Sequence, residues 1–243
     1  MTIAYGGTTN QGQPIGILML DTKFPRVPGD VGNAFTFDFP VRFHTVIGAN
    51  PTRVVKEADP TLLQPFIEGA QALETAGCGA ITTSCGFLVM FQKEMAAAVH
   101  IPVLSSSLLQ VPFLSAMLGP NQQVGILTAR ASSLTDKHFA GAGMENCRFA
   151  IQGMEGYPEF TNTFIEGHQQ IDLAKAEEEM IQAAQKLVKA HPNIGALVFE
   201  CTNMPPFAYA VQQAVKLPVF DIVTLIRYGA LGLLRSPFIA KSL

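Results

Sequence analysis

Charge is scarce in this 243-residue chain: 14% of the residues are charged, and the formal net charge is only −3. No basic run concentrates what charge there is, so nothing offers a phosphate backbone an electrostatic footprint, and nucleic acid is not expected as a partner. Long apolar runs are missing too. Ile15–Leu20 stops at Asp21 and Ala196–Phe199 stops at Glu200, far short of the roughly 18 to 20 residues that span a bilayer. No membrane partner is therefore expected. The N-terminus lacks a basic segment followed by an apolar core, which predicts no secretory signal. The 4 cysteines have no paired spacing; reduced thiols in a cytoplasmic protein are expected, not a disulfide framework.

Cofactor signatures are equally thin. There is no Gly-x-Gly-x-x-Gly turn and no phosphate-cradling Gly-Lys-Ser/Thr. His44, His100, His138, His168 and His191 are scattered, with no His-x-x-x-His or Cys-x-x-Cys spacing. Neither a metal nor any other cofactor is expected.

What is present is apolar and periodic. Hydrophobic residues make up 48% of the chain, which suits a buried sheet and argues against disorder. Ile15–Leu20 reads as a strand buried on both faces. Residues 21–38 are rich in Pro and Gly without helical periodicity, the marks of a long functional loop or lid. Val41–Ile47 reads as a strand and Thr61–Ala76 as an amphipathic helix. Gly79–Thr83 follows as a strand, Gly86–Val99 as a helix, and Val103–Leu104 as a short strand. Further on, Val124–Thr128 and Ala196–Phe199 read as strands, and Ala174–Lys189 as a long amphipathic helix. Its Glu177, Glu178 and Glu179 lie toward the start, and Lys186 and Lys189 toward the end, as the helix dipole prefers. Pro205–Val215 and Thr224–Leu234 read as helices around a strand at Val219–Phe220.

The second half repeats the first. Gly79-Ala80-Ile81-Thr82-Thr83-Ser84-Cys85 falls on Gly195-Ala196-Leu197-Val198-Phe199-Glu200-Cys201, an offset of 116, and Pro102 falls on Pro218 at the same offset. Alternating strands and helices imply right-handed crossovers and a parallel sheet. The fold class read from this is α/β, with two pseudo-symmetric lobes, each a parallel sheet flanked by helices, and the active site between them. The first lobe is expected over residues 1–105, with a C-terminal helix at 221–243 packing back onto it, and the second over 106–220.

Ligands in such sheets bind beyond the carboxyl ends of the strands. Cys85 and Cys201 both fall there, on strand-to-helix turns, so pseudo-twofold lobes would point them at each other. A helix N-terminus favours thiolate and can lower a thiol pKa to roughly 3.5–7.5. Cys78 and Cys147 lack such a turn and read as small core residues. Two equal acid/base groups on opposite faces of one carbon suit inversion by proton removal and return. The negative charge that develops on the adjoining carboxylate then needs donors. The N–H groups of Gly86 and Thr202 and the hydroxyls of Thr83, Ser84, Thr128 and Thr202 are the candidates. Asp21 is placed to orient Cys85, and Lys23 and Arg26 to meet a carboxylate; all three also read as ordinary loop charges.

The motifs Thr82-Thr83-Ser84-Cys85-Gly86-Phe87 and Phe199-Glu200-Cys201-Thr202-Asn203-Met204-Pro205 resemble those of the aspartate/glutamate racemase superfamily. The resemblance extends over nearly the whole chain. It implies an interlobe site, no pyridoxal phosphate or metal, a small carboxylate substrate and a homodimer. Catalysis is then expected from Cys85 and Cys201, and substrate binding from Asp21, Thr83, Ser84, Gly86, Thr128, Thr202 and Asn203. Asn203 stands where glutamate racemases carry histidine, Phe87 adds apolar surface, and Glu200 replaces a usual glycine; a carboxylate beside a thiol raises its pKa unless it points away. The activity expected is a cofactor-independent racemase or epimerase of an amino acid or related carboxylate. The alternatives are a superfamily decarboxylase, a maleate-type cis–trans isomerase, or a non-catalytic carboxylate-binding protein.

Overall fold

A computed structural model describes residue 3 and residues 6–237; the ends of the two expected segments, at 1–2, 4–5 and 238–243, lie outside the described residues. The polypeptide runs β1 (Ile15–Leu20), β2 (Val41–Val46), α1 (Leu63–Thr75), β3 (Ala80–Thr83), α2 (Gln92–Ala97), β4 (Val103–Leu104) and α3 (Val111–Met117). It continues through β5 (Gln123–Thr128), α4 (Asp136–Gly141), β6 (Phe149–Gly153), α5 (Pro158–Phe164), α6 (Leu173–Ala190), β7 (Ile194–Phe199), α7 (Ala208–Val215), β8 (Val219–Phe220) and α8 (Ile222–Leu233). Two four-stranded sheets result, ordered β2-β1-β3-β4 and β6-β5-β7-β8, with every neighbouring pair parallel.

The repeat is thus spatial as well as sequential. β4 and β8 keep the 116-residue offset, and so do the starts of α2 at Gln92 and α7 at Ala208. β1 is buried along its whole length, which is why it reads as an unbroken apolar run. β6 has no such signature: it is a half-buried edge strand containing Gln152 and Gly153, and its pattern carries no strand period.

One apolar cluster runs through both lobes. It joins Leu18, Phe24, Cys85 and Phe87 of the first to Leu127, Phe164 and Phe199 of the second. The faces are closed by the T-shaped pair Phe24–Phe164, with centroids 5.2 Å apart, and by Phe87 against His138 at 5.3 Å. α8 returns to the first sheet: Ile222, Ile226 and Ala230 pack with Ile15, Ile17 and Ala80. Its start is set by a capping box in which Asp221 accepts from the Thr224 N–H, as expected of Asp at an N-cap.

Local expectations change in two places. The helix after Cys85 begins as a 3₁₀ segment, Gly86–Phe91, and becomes α-helical only at Gln92; a 3₁₀ segment, Pro205–Phe207, likewise precedes α7. Neither cysteine therefore caps an α-helix. In α6, Glu179 lies beyond the first turn, and Asp172 supplies the cap instead. The Glu179 carboxylate accepts the Glu159 and Phe160 N–H groups at 2.9 and 2.8 Å, tying α5 to α6.

Candidate active site

The turns after β3 and β7 carry Cys85 and Cys201 to the carboxyl ends of their strands, where both line one closed cavity of about 20 Å³, room for about one water molecule. Its walls are apolar and aromatic (Leu20, Phe24, Val55, Phe87, Phe164 and Ile165), interrupted by Ser84, Glu200 and Asn203. Outside lies a larger cavity of about 630 Å³. Phe24, Pro51 and Ile165 line both spaces and form the partition between them. An ion pair from Lys56 to Glu166, at 2.9 Å, spans the lobes beside the outer cavity that Glu166 lines.

Each sulfur accepts a backbone N–H from the residue two places on, Phe87 for Cys85 and Asn203 for Cys201. Those two residues are themselves related by the 116-residue repeat. The expected thiolate-stabilising environment is nonetheless overturned. Burial first, and the Glu200 carboxylate second, push both thiols above their ordinary range, outweighing the N–H bonds that pull them down. Short 3₁₀ turns supply no long helix dipole to oppose this.

Glu200 is the unusual group. It is fully buried; its Oε2 accepts from the Thr128 hydroxyl at 2.7 Å, while Oε1 has no hydrogen-bond partner among the described residues. Burial raises its pKa from 4.5 to about 7, against hydrogen bonds from Thr128 and the Ala129 N–H. Gly86 makes room for it, since a Cβ there would overlap both the Glu200 carbonyl and Oε1.

The remaining expected residues divide by placement. Ser84, Gly86 and Asn203 line the cavity with the cysteines. Ser84 Oγ accepts the Leu20 N–H at 2.8 Å, so its own proton is free to donate. Thr83, Thr128 and Thr202 are buried behind the cavity, their hydroxyls committed. Thr83 Oγ1 lies 2.9 Å from the Cys85 carbonyl and 2.7 Å from that of Ser105. Thr202 Oγ1 donates across the lobes to the Ser84 carbonyl at 2.6 Å. These hydroxyls shape the turns. Asp21 lines the outer cavity, where its carboxylate accepts the Gly48 N–H at 3.4 Å; it is not brought to Cys85. Lys23 lines that outer cavity as well.

Arg26 is paired internally. It bridges to Asp30 at 2.9 Å, donates to Thr22 and lies 4.3 Å from the Phe24 ring centroid. Asp30 is the residue that sequence reasoning missed: buried in the loop, it accepts from Asn203 Nδ2 at 2.6 Å. Asn203 Oδ1 in turn accepts from Cys201 Sγ at 3.5 Å. Gly29, at φ +100°, lets the loop approach Pro206 where a Cβ would collide with its backbone, a role only glycine fills cheaply.

Comparison with known proteins places this geometry in context. The family profile described as "Asp/Glu/Hydantoin racemase" matches residues 42–226. A dimethylsulfoniopropionate lyase from Durusdinium sp. clade D is 29% identical over 230 residues, covering 92% of this chain and 76% of that protein. Dimethylsulfoniopropionate lyase 3 from Emiliania huxleyi is 29% identical over 233 residues, and the match spans 92% of this chain but only 60% of that longer protein. Among solved structures, a glutamate racemase from Bacillus anthracis superposes with a TM-score of 0.59 at 14% identity, covering 91% of this chain and 82% of that one.

Proposed function

The chain belongs to the Asp/Glu/Hydantoin racemase family, and we propose that within it this protein is a lyase that removes the proton α to a carboxylate and expels a sulfide from the β carbon. The observation that carries this reading is the pair of thiols, Cys85 and Cys201, on one closed apolar cavity. A thiol so placed is a base for a carbon acid. The family relatives named for dimethylsulfoniopropionate supply the substrate class, a carboxylate with a sulfonium group at the far end.

The step balances simply. One cysteine, as thiolate, takes the α proton; the C–H electrons become the C=C bond. The C–S bond breaks with its electron pair on sulfur, giving neutral dimethyl sulfide and acrylate. The raised thiol pKa would oppose this in an empty cavity, but a bound sulfonium beside the sulfur favours the thiolate by charge attraction. Ser84, whose Oγ accepts the Leu20 N–H and so keeps its own proton to donate, is the group offered to the carboxylate; Gly86 packs against Glu200 Oε1, at the opposite end of the substrate. The space as it stands is about 20 Å³, so Phe24, Pro51 and Ile165 must part to admit the substrate; their closure over it then excludes water and strengthens these interactions.

The test is release of dimethyl sulfide from dimethylsulfoniopropionate, read in the headspace. Wild type is expected to release it, and Cys85→Ser or Cys201→Ser to lose at least about a hundred-fold in rate. A second reading, racemisation of a small carboxylate, is favoured by the delivery of one thiol from each pseudo-symmetric lobe. It predicts deuterium at the α carbon in heavy water with loss of optical rotation and no dimethyl sulfide. Neither product from a panel of both substrate types would overturn both readings.

A further inference from the structure

We propose that Glu200 is a specificity-determining residue whose unpaired Oε1 receives a compact onium cation, so that the site takes carboxylates bearing sulfonium or quaternary ammonium and rejects dianions. This deepens the lyase reading and rests on it for the position of the carboxylate.

Three observations meet at this side chain. Glu200 is fully buried and lines the same cavity as both cysteines. Its Oε2 is satisfied by Thr128, while Oε1 has no partner among the described residues. A buried carboxylate oxygen without a partner is costly, and among the described residues no cationic side chain lines this cavity. Arg26, whose charge acts on Cys85, is bound to Asp30 and Thr22. Once Glu200 is ionised, above about pH 7, the charge that completes Oε1 comes with the ligand.

The surrounding surface suits an onium group and no other cation. A primary ammonium or guanidinium needs several acceptors, whereas the cavity that Glu200 lines is otherwise walled largely by Phe24, Phe87, Phe164, Leu20 and Val55. Methylated cations carry no N–H or S–H to satisfy, and aromatic faces attract them. Phe24 holds the Arg26 guanidinium on one face, Phe87 packs on His138 and Phe164 on Phe160, so the three rings that line the cavity are held in place by neighbours outside it. A second carboxylate at this end, as in aspartate or glutamate, would face Glu200 across a water-excluding space, where like charges repel strongly.

The test compares two ligands of one shape that do not turn over: 3-(trimethylammonio)propionate, a zwitterion, and 4,4-dimethylpentanoate, its carbon isostere without the cation. Calorimetric titration of wild type at about pH 8 is expected to show the cation bound at least about ten-fold more tightly. Glu200→Gln should bring the two to within about two-fold while Glu200→Asp retains part of the preference. If Glu200→Gln does not fold, wild type titrated near pH 6, where Glu200 is largely protonated, should lose most of the preference. No preference in wild type, no binding of either ligand, or a preference untouched by both Glu200→Gln and acidification would overturn the proposal. Release of dimethyl sulfide is scored separately. A lyase whose preference ignores Glu200 sinks this inference alone; a Glu200-dependent preference without sulfide release sinks the lyase reading alone.

Discussion

Asn203 Nδ2 donates to Asp30 Oδ2 at 2.6 Å, joining the turn after Cys201 to the long loop that leaves β1. The other oxygen of Asp30 holds Arg26 and accepts the Gly32 N–H at 2.7 Å, so the loop is folded around one buried carboxylate. Because Asn203 Oδ1 also takes the hydrogen of Cys201 Sγ, loop position and thiol orientation are coupled.

Replacing Asp30 with Ala takes from Arg26 its carboxylate and from Asn203 Nδ2 its acceptor. The expected loss is roughly 1–3 kcal/mol of stability, with faster amide exchange in residues 26–36 and about a ten-fold drop in kcat/KM. Exchange rates unchanged across that loop would show that the Asp30 bonds do not hold it.

Glu200 sets a pH dependence of stability whose sign follows from its raised pKa. The folded state keeps this proton up to about pH 7, whereas the ordinary value is 4.5; folding stability from this group is therefore full below pH 4.5 and is lost as pH rises to about 7. At 1.36 kcal/mol per pKa unit the change is roughly 3 kcal/mol. Cys85, Cys201 and Asp30 also face this centre, but both thiols titrate well above the window. Urea denaturation of wild type and Glu200→Gln at pH 5 and pH 8 isolates the term, and the variant is expected to lose that slope. Equal slopes in the two proteins would count against a buried, ionisable Glu200.

Gly86→Ala is expected to be severe for so small a change. The added methyl meets the Glu200 carbonyl and Oε1, one of which is backbone and cannot swing aside. Overpacking of this kind costs about 1–3 kcal/mol, and the displaced Glu200 would disturb both cysteines. Retained thermal stability together with full turnover would refute this.

The Lys56–Glu166 pair is partly exposed, so Lys56→Ala should change stability by less than about 1 kcal/mol. Its effect is expected on opening. With the interlobe latch gone, Cys85 should react several-fold faster with iodoacetamide, because Phe24, Pro51 and Ile165 must part before a reagent enters. Unchanged alkylation rates would place the opening motion elsewhere.

The duplicated strand-turn-cysteine unit and its 116-residue spacing were legible from residue order, because buried parallel strands are written as apolar runs and a repeat is a one-dimensional property. The same holds for the loop after β1, whose Pro and Gly content disfavours an α-helix; only a 3₁₀ turn, Ala34–Thr36, forms there. Less could be read at β6, a half-buried edge strand without the alternation a pattern needs, or at the first turns after the cysteines, where tertiary packing selected 3₁₀ geometry over the α-helix.

Sequence by itself determined that two cysteines would stand at equivalent strand ends on two α/β halves. Only the tertiary structure decided what surrounds them. Hydroxyls of Thr83, Thr128 and Thr202 were expected to face a ligand, yet they bond to carbonyls and to Glu200, since backbone groups taken out of water claim whatever partners lie nearest. Asp30 and Asn203 are 173 positions apart in sequence, and no local pattern announces such a bond. The electrostatics of the thiols followed burial, not motif: desolvation depends on what closes over a group, and that is a property of the folded chain alone.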